Sequence, residues 1–182
     1  MRRASERRRL DGFESFFVEH ERRLRGYALR RTRSQQLADE LVAEVMEIAW
    51  RRFDAIPEDR AFGWLCRVAI NVESNQRRSR HRRGRAEDRA AREGERASVI
   101  ELDTERVPLE SRAALAEAWA TLGDEDRSVL SLVAWEALTT AELAEALGVS
   151  EIAARKRLSR ARERLHLAFG SNAGSGGGDD SL

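Results

Sequence analysis

The chain has 182 residues, enough for one ordinary domain or two small ones. Charged residues make up 36% of it, but Arg-rich and acid-rich stretches alternate, so a formal net charge of only +1 does not exclude a nucleic-acid partner. The single cysteine, Cys66, excludes an internal disulfide framework, and no cluster of cysteines and histidines predicts a structural zinc site.

The first ten residues, MRRASERRRL, resemble the basic start of a signal peptide, but no apolar run of the required length follows them. Nowhere in the chain do 18 apolar residues come together, which is the length that a membrane-spanning helix needs. We therefore expect a cytoplasmic protein without membrane insertion.

Strand signals are almost absent, and the chain is predicted to be all-α. The stretch DGFESFFVEHERRLRGYALRRT predicts an amphipathic helix, and its apolar face is formed by Phe13, Phe16, Phe17, Leu24, Tyr27 and Ala28. The stretch LADELVAEVMEIAWRRF predicts a second helix that ends near Pro57, and its apolar face is formed by Leu37, Leu41, Val45, Ile48 and Ala49.

A third helix is predicted in AFGWLCRVAINVESNQRRSRHRR, which is apolar through Ile70 and strongly basic from Arg77. Three amphipathic helices with short connections can close one core, so residues 10–83 are predicted to form a small helical domain. Residues 84–110 lose apolar content and carry runs of charge, and we interpret them as a charged flexible linker.

A second small helical domain is predicted over residues 111–169. In LESRAALAEAWATL, Leu115, Trp119 and Leu122 share one face, and GDEDRSVLSLVAWEAL carries acids in its first turn, where the helix dipole favours them. The Gly-rich residues 170–182 cannot bury a core and are predicted to be a disordered tail.

The stretch LTTAELAEALGVSEIAARKRLSRARERL predicts a helix-turn-helix. Thr139 and Glu142 have the spacing of a capping box, which starts a helix. Gly148 suits the left-handed position after that helix, and Ser150 suits the N-cap of the next one.

The second helix of this motif separates into two faces at about 100° per residue. A narrow stripe to be buried is formed by Ala154, Leu158, Ala161 and Leu165. Ile152 falls in the middle of the opposite arc, where the remaining residues are Arg155, Lys156, Ser159, Arg160 and Glu163. Because this helix enters the major groove in such motifs, and because bases outnumber acids on its exposed arc, we expect DNA binding rather than a merely solvated face.

Together, these pieces resemble a bacterial extracytoplasmic-function (ECF) sigma factor from about Phe13 to Phe169, most specifically in WLCRVAIN and in LAEALGVS…RLSRARERL. The resemblance implies region 2 at residues 10–83 and region 4 at residues 111–169. It also implies the family's function: binding core RNA polymerase, recognising the minus ten and minus thirty-five promoter elements, and opening DNA for transcription initiation.

The resemblance implies three sets of site residues. The minus ten element would be held by Trp64, Arg67, Asn71, Arg77, Arg78 and Arg80. The minus thirty-five element would be met by Ser150, Ile152, Arg155, Lys156, Ser159 and Arg160. The core polymerase would be bound by Asp39, Leu41, Glu44, Glu47 and Trp50.

Several of these residues also have a purely structural interpretation. Leu41 and Trp50 fit plain core positions equally well, Asn71 fits a satisfied core amide, and the arginines after residue 76 fit a solvated tail. Ile152 either touches a thymine methyl or packs on a neighbouring helix. Cys66 is interpreted as a core residue rather than a reactive thiol.

Beyond core polymerase and promoter DNA, the resemblance implies an anti-sigma factor as a partner, and no cofactor is expected. The alternative function is a two-domain helix-turn-helix regulator that binds duplex DNA without being a polymerase subunit. An enzyme is least favoured, since His20, His81 and His166 are scattered over charged surfaces and no nucleophile motif or phosphate loop occurs.

Overall fold

The computed structural model describes residues 2–84 and 108–175. Within these two ranges every regular element is a helix or a 3-10 turn, which confirms the predicted all-α fold class. Residues 85–107, the greater part of the predicted linker, lie outside the described residues, as do residues 176–182 of the predicted tail.

Three long helices form the first half of the chain: α1, Arg2–Thr32; α2, Gln35–Arg51; and α3, Ala61–Gly84. The Ser34 hydroxyl caps α2 by accepting a hydrogen bond from the Leu37 amide. The helix ends at Arg51, earlier than the sequence predicted. Ile56 is extended, as residues before proline usually are, and the chain reaches α3 through the 3-10 turns Phe53–Ala55 and Glu58–Arg60.

Two predicted core positions are exposed instead. Leu37 is 41% exposed, because the buried face of α2 is centred on Ala38, Val42 and Ala49, about 100° around the helix from Leu37. Phe17 is 40% exposed, and the aromatic cluster beside it is filled by other rings. Those rings are Phe13, Phe16, Trp50 and Phe53, whose centroids lie 5.1 to 5.9 Å apart in the stacked and edge-on pairs that they form.

Four helices form the second half: α4, Leu109–Thr121; α5, Asp124–Ala134; α6, Thr140–Leu147; and α7, Glu151–Ser175. Trp119 of α4 and Leu122, the residue that follows α4, are buried against Ala161 of α7, as the apolar spacing predicted. The predicted disordered tail is wrong for residues 170–175, which continue α7. The backbone ladder extends through them, and the Ser171 hydroxyl donates a hydrogen bond to the Ala168 carbonyl.

The helix-turn-helix geometry agrees with the sequence in each local detail. The Thr139 hydroxyl accepts a hydrogen bond from the Glu142 amide at 3.2 Å, and the Glu142 carboxylate accepts one from the Thr139 amide at 2.9 Å, which completes the capping box. Gly148 is left-handed, with φ of 64°. Ser150 then caps α7 by accepting a hydrogen bond from the Ala153 amide.

One core joins the two halves of the chain. Buried residues of α3, including Phe62, Leu65 and Cys66, belong to the same apolar cluster as Leu143 and Ala144 of α6. The two helices approach at Gly63, where an added Cβ would lie 2.8 Å from the Cα of Glu142. Only a residue without a side chain fits this approach, so the second half of the chain packs directly on the first.

The capping box yields a stability prediction. Thr139→Ala removes the hydroxyl that satisfies the Glu142 amide, so we expect a loss of about 1 kcal/mol in the free energy of unfolding. Urea denaturation monitored by circular dichroism measures this loss, and Thr140→Ala, at the neighbouring position inside α6, is the matched control. Equal stability of the two variants would contradict the capping role.

Candidate nucleic-acid interface

Two of the predicted minus ten residues, Trp64 and Asn71, lie two turns apart on α3. Trp64 is half-buried and packs against the shared core. Asn71 is exposed, so it is not a satisfied core amide. Its side chain is free to make hydrogen bonds with a ligand, whereas Trp64 offers only part of its ring.

Arg67 lies between them on the same helix and already has protein partners. Its guanidinium donates a hydrogen bond to the Glu145 carboxylate of α6 at 3.3 Å, and it lies beside Gly148 in the turn of the helix-turn-helix. Arg67 therefore contacts the second half of the chain in this structure.

The basic end of α3 is described only in part. Arg78 is exposed and donates hydrogen bonds to the Ser74 carbonyl at 3.3 Å and to the Asn75 side chain at 3.1 Å. These bonds are local, so they leave the positive charge of Arg78 on the surface. The side chains of Arg77 and Arg80 lie outside the described residues.

The first turns of α7 present a basic face. Arg155, Lys156, Ser159 and Arg160 are all exposed, opposite the buried stripe of Ala154 and Ala161. Arg155 has one carboxylate nearby, Glu151, at 3.7 Å on the same helix, a pairing that contributes little. The face therefore keeps its positive charge for a ligand.

Ile152 and Ser150 flank the start of this face. Ile152 is 66% exposed, so it does not pack on a neighbouring helix, and an apolar group of that size in the middle of a polar face is free to contact a ligand. Ser150 is exposed, but its hydroxyl is used as the cap of α7.

A cleft of about 560 Å³ brings parts of the two surfaces together. Arg67 and Asn71 of α3 line one side, and α7 lines another with Arg157, Arg160 and Arg164. Glu125 and Asp126 of α5 also line it, and Asp126 accepts two hydrogen bonds from Arg164 at 2.7 and 2.8 Å.

Sequence reasoning missed Arg157 and Arg164 as cleft residues. Their spacing from Arg160, three residues before and four after, places all three on one side of α7 and could have identified them. The acids at 125 and 126 were interpreted only as favourable charges at a helix start.

The acidic face of α2 carries Asp39, Glu44 and Glu47 at exposed positions. Asp39 accepts hydrogen bonds from Arg25 and Gln35, Glu44 accepts one from Gln76 at 2.9 Å, and Glu47 pairs with Arg51. These pairs are exposed and contribute little, so the carboxylates stay available to a basic partner.

The predicted contact role of Leu41 is wrong, because this residue is 1% exposed and belongs to the core. It supports the acidic face from beneath instead. Trp50 is half-buried, edge-on to Phe13 at 5.1 Å and beneath the Arg9 guanidinium at 4.7 Å, so α1 covers part of its ring.

Two side chains with possible chemistry are structural. Cys66 is fully buried, which confirms its interpretation as a core residue, and burial raises the pKa of its thiol. His20 was expected on a charged surface, but it is half-buried and packs edge-on against Phe16 at 4.6 Å; burial lowers its pKa. Over residues 2–84 and 108–175, no group of three His, Cys, Asp or Glu side chains is arranged to hold a metal ion.

A buried carboxylate lies where α1 meets the loop between α5 and α6. Glu136 accepts two short hydrogen bonds from Arg30, at 2.6 and 2.8 Å, and its carbonyl accepts one from Arg23. Burial raises the pKa of the Glu136 carboxyl group, and the hydrogen bonds and charges of the arginines oppose that rise.

In the described part of the chain, no helix is both long and apolar enough to cross a bilayer.

Comparison with known proteins matches both halves of the chain. The family described as Sigma-70 region 2 matches residues 16–83, and the family described as Sigma-70, region 4 matches residues 112–165.

Curated relatives carry sigma factor names. The ECF RNA polymerase sigma factor SigL of Mycobacterium tuberculosis is 30% identical over 162 residues, which cover 85% of this chain and 87% of SigL. The probable RNA polymerase sigma factor RfaY of Xanthomonas campestris is 33% identical over 139 residues, or 74% of this chain. The match spans only 34% of the length of RfaY.

Two solved structures share the fold. The sigma factor RpoE of Bartonella quintana, in complex with the anti-sigma factor NepR, aligns with a TM-score of 0.55 and 19% identity, covering 87% of this chain and 96% of RpoE. CnrH, in complex with the cytosolic domain of CnrY, aligns with a TM-score of 0.54 and 23% identity, covering 89% of this chain and 90% of CnrH.

The burial of Cys66 predicts that its thiol is alkylated slowly in the folded protein. Because the thiolate is the nucleophile and the raised pKa keeps the thiol protonated, alkylation by iodoacetamide at pH 8 should be much slower in the folded protein than in guanidinium chloride. Mass spectrometry over time measures the two rates. A folded protein that is alkylated as fast as the denatured chain would contradict the burial of Cys66.

Proposed function

The chain belongs to the extracytoplasmic-function (ECF) family of RNA polymerase sigma factors, and we propose that it binds core RNA polymerase and directs it to promoters through two DNA-reading surfaces. The observation that carries this proposal is the basic face of α7, which is the second helix of a fully capped helix-turn-helix. Within the described residues, this face has no strong acidic partners for Arg155 or Arg160. The role is one of binding, without a catalytic step.

The start of α7 is the proposed reader of the minus thirty-five element. The second helix of a helix-turn-helix enters the major groove with its first turns toward the bases. Arg155 and Arg160 can donate paired hydrogen bonds to guanine or to phosphate, while Lys156 and Ser159 supply further donors. Ile152, exposed among them, is suited to contact a thymine methyl.

The exposed side of α3 is the proposed reader of the minus ten element. Opened DNA is held by aromatic platforms, amide hydrogen bonds and a basic groove that follows the backbone. Trp64 and Asn71 supply a ring and an amide on one side of the helix, and the arginines that follow, Arg77, Arg78 and Arg80, supply positive charge for phosphates. Arg67 can join them once it leaves Glu145.

Core polymerase is the proposed partner of the acidic face of α2. Asp39, Glu44 and Glu47 form a one-sided set of exposed carboxylates, which suits a basic surface. Trp50 exposes part of its ring at the far end of the helix, and Leu41 fixes the helix to the core beneath.

An anti-sigma factor is a further proposed partner. RpoE was solved with the anti-sigma factor NepR, and CnrH with the cytosolic domain of CnrY. The shared fold and the family support an inhibitor of this kind for this chain, one that covers its binding surfaces until released.

Reconstitution with core RNA polymerase tests the proposal. The chain should co-elute with the core enzyme and give promoter-specific transcription, while the free protein binds duplex promoter weakly. Tight and specific duplex binding by the free protein, without co-elution, would favour the alternative of an ordinary helix-turn-helix regulator.

Single arginine substitutions on α7 are expected to separate base contacts from phosphate contacts. Arg155→Ala or Arg160→Ala should weaken promoter use by about 1 to 3 kcal/mol at particular minus thirty-five positions if the side chain reads a base. A phosphate contact gives the same loss on every sequence and a shallower salt dependence. Transcription on a set of promoter variants measures these losses, and Arg162→Ala is the control. If neither Arg155→Ala nor Arg160→Ala lowers promoter use, the proposed reading face is contradicted.

Replacing Ile152 is expected to reduce discrimination among promoter sequences without affecting folding. Because Ile152 is exposed, Ile152→Ala should leave stability unchanged but reduce the preference for thymine at one minus thirty-five position. Thermal denaturation and transcription on substituted promoters check the two parts. Unchanged discrimination would remove Ile152 from the reading face.

A further inference from the structure

We infer that the cleft lined by α3, α5 and α7 is a binding site for a small molecule that carries two or more phosphate groups beside a flat ring, as a nucleoside diphosphate does. This ligand is additional to the promoter DNA and the polymerase proposed above. Its binding to the free chain can therefore be tested separately from the proposed function.

The size and the walls of the cleft suit a small molecule. Its volume is about 560 Å³, which lies within the usual range of ligand pockets. Side chains of α3, α5, α6 and α7 line it, together with Gly148 in the turn before α7. A ligand in this space contacts several elements at once, which gives it a defined position.

Arginines line both sides of the cleft, and two of them have carboxylate partners. Arg67 of α3 donates a hydrogen bond to Glu145 at 3.3 Å. Arg164 of α7 donates to both carboxylate oxygens of Asp126, at 2.7 and 2.8 Å. Because each pair is neutral overall, these arginines hold the walls in place and add little net charge for a ligand.

Arg157 and Arg160 of α7 are the cleft arginines without such partners. Within residues 2–84 and 108–175, neither forms a hydrogen bond or an ion pair with a carboxylate. They lie three residues apart on one side of the helix, so both guanidinium groups can reach one ligand. A guanidinium binds phosphate through paired hydrogen bonds, so two unmatched arginines favour a ligand with two phosphates.

The rest of the lining suits the ring of a nucleoside. Ile70 of α3, Val129 of α5 and Leu147 of α6 supply apolar surface against which a flat ring can pack. Asn71 lies beside Ile70 on α3, and its exposed amide offers a donor and an acceptor for the edge of a base. Phosphate alone would leave this apolar surface unused.

Glu125 of α5 gives the ligand a direction. Its exposed carboxylate lines the cleft, where it repels phosphate and accepts hydrogen bonds from the N–H groups of a base or from the hydroxyl groups of a ribose. The phosphates therefore belong at Arg157 and Arg160, and the nucleoside belongs toward Glu125.

Two further arginines of α7 provide a comparison. Arg155 and Arg162 are exposed, but they lie about 140° to 160° around the helix from Arg157 and do not line the cleft. They carry the same charge on the same helix without the apolar and amide groups beside them. A ligand that needs the cleft distinguishes the two sets, whereas a ligand that needs only positive charge does not.

Isothermal titration calorimetry on the full chain tests the site, and the probes are ADP, GDP and inorganic pyrophosphate. At least one nucleotide should bind with one molecule per chain, and about tenfold more tightly than pyrophosphate, because the ring then covers apolar surface. Absence of nucleotide binding would overturn the site. Equal affinity for pyrophosphate would overturn the part assigned to the ring.

Matched double variants locate the binding. Arg157→Gln with Arg160→Gln should weaken nucleotide binding by about tenfold for each arginine removed. Arg155→Gln with Arg162→Gln removes two charges from the same helix and should bind the nucleotide as the wild type does. Circular dichroism checks that both variants are folded. Equal losses in the two variants, or wild-type affinity in the first, would overturn the site.

A single strand of DNA is the competing occupant of these arginines. A short oligothymidylate should leave the bound nucleotide in place. If it displaces the nucleotide and loses affinity with Arg157→Gln, the cleft belongs to a DNA strand and the small-molecule site is overturned. None of these measurements includes polymerase or a promoter, so their failure leaves the proposed function standing, and failure of transcription leaves the nucleotide site standing.

Discussion

The close approach of α3 to α6 determines how the rest of this molecule is arranged. Gly63 lets the two helix backbones meet, and one apolar core then extends from Leu24 of α1 to Ala154 of α7. Because α6 is the first helix of the helix-turn-helix, the same contact decides where the second helix, α7, points. The cleft between Asn71 and Arg160 follows from this packing.

Arginine serves two purposes in this chain. Arg23 and Arg30, which belong to the basic N-terminal block of the sequence, both donate hydrogen bonds to the buried residue Glu136, although their own side chains stay partly exposed. Arg155 and Lys156 are exposed, and the ion pair of Arg155 with Glu151 on the same helix is weak. Both side chains therefore keep their charge for a ligand. The number of arginines does not distinguish these roles, since the difference lies in which carboxylates reach them.

The local structure of the helix-turn-helix could be predicted from the sequence because each signal acts over a few residues. The capping box of Thr139 and Glu142 and the left-handed Gly148 depend on backbone geometry within one turn. The buried stripe of α7 and the exposure of Ile152 follow from helical spacing alone. The all-α class and the family resemblance rest on such patterns, repeated along the chain.

The candidate site could be predicted only in part. The basic face of α7 and the exposed amide of Asn71 were found from spacing, but the burial of Leu41 and the exposure of Leu37 depend on which side of α2 meets its neighbours. Helical periodicity identifies an apolar stripe, but it does not locate the centre of the buried face when further apolar residues flank that stripe. The spacing of Arg157 and Arg164 places them beside Arg160 on one side of α7, but only the positions of α3 and α5 make that side a cleft.

The sequence by itself determined the helices, their caps, the helix-turn-helix and the charged faces, because those depend on neighbours within about one or two turns. Only the tertiary structure decided that Arg30 pairs with Glu136, that Arg67 pairs with Glu145, and that the two proposed readers share one cleft. These contacts join residues 78 to 106 positions apart. Their existence depends on how two separately patterned halves pack together, which no local pattern encodes.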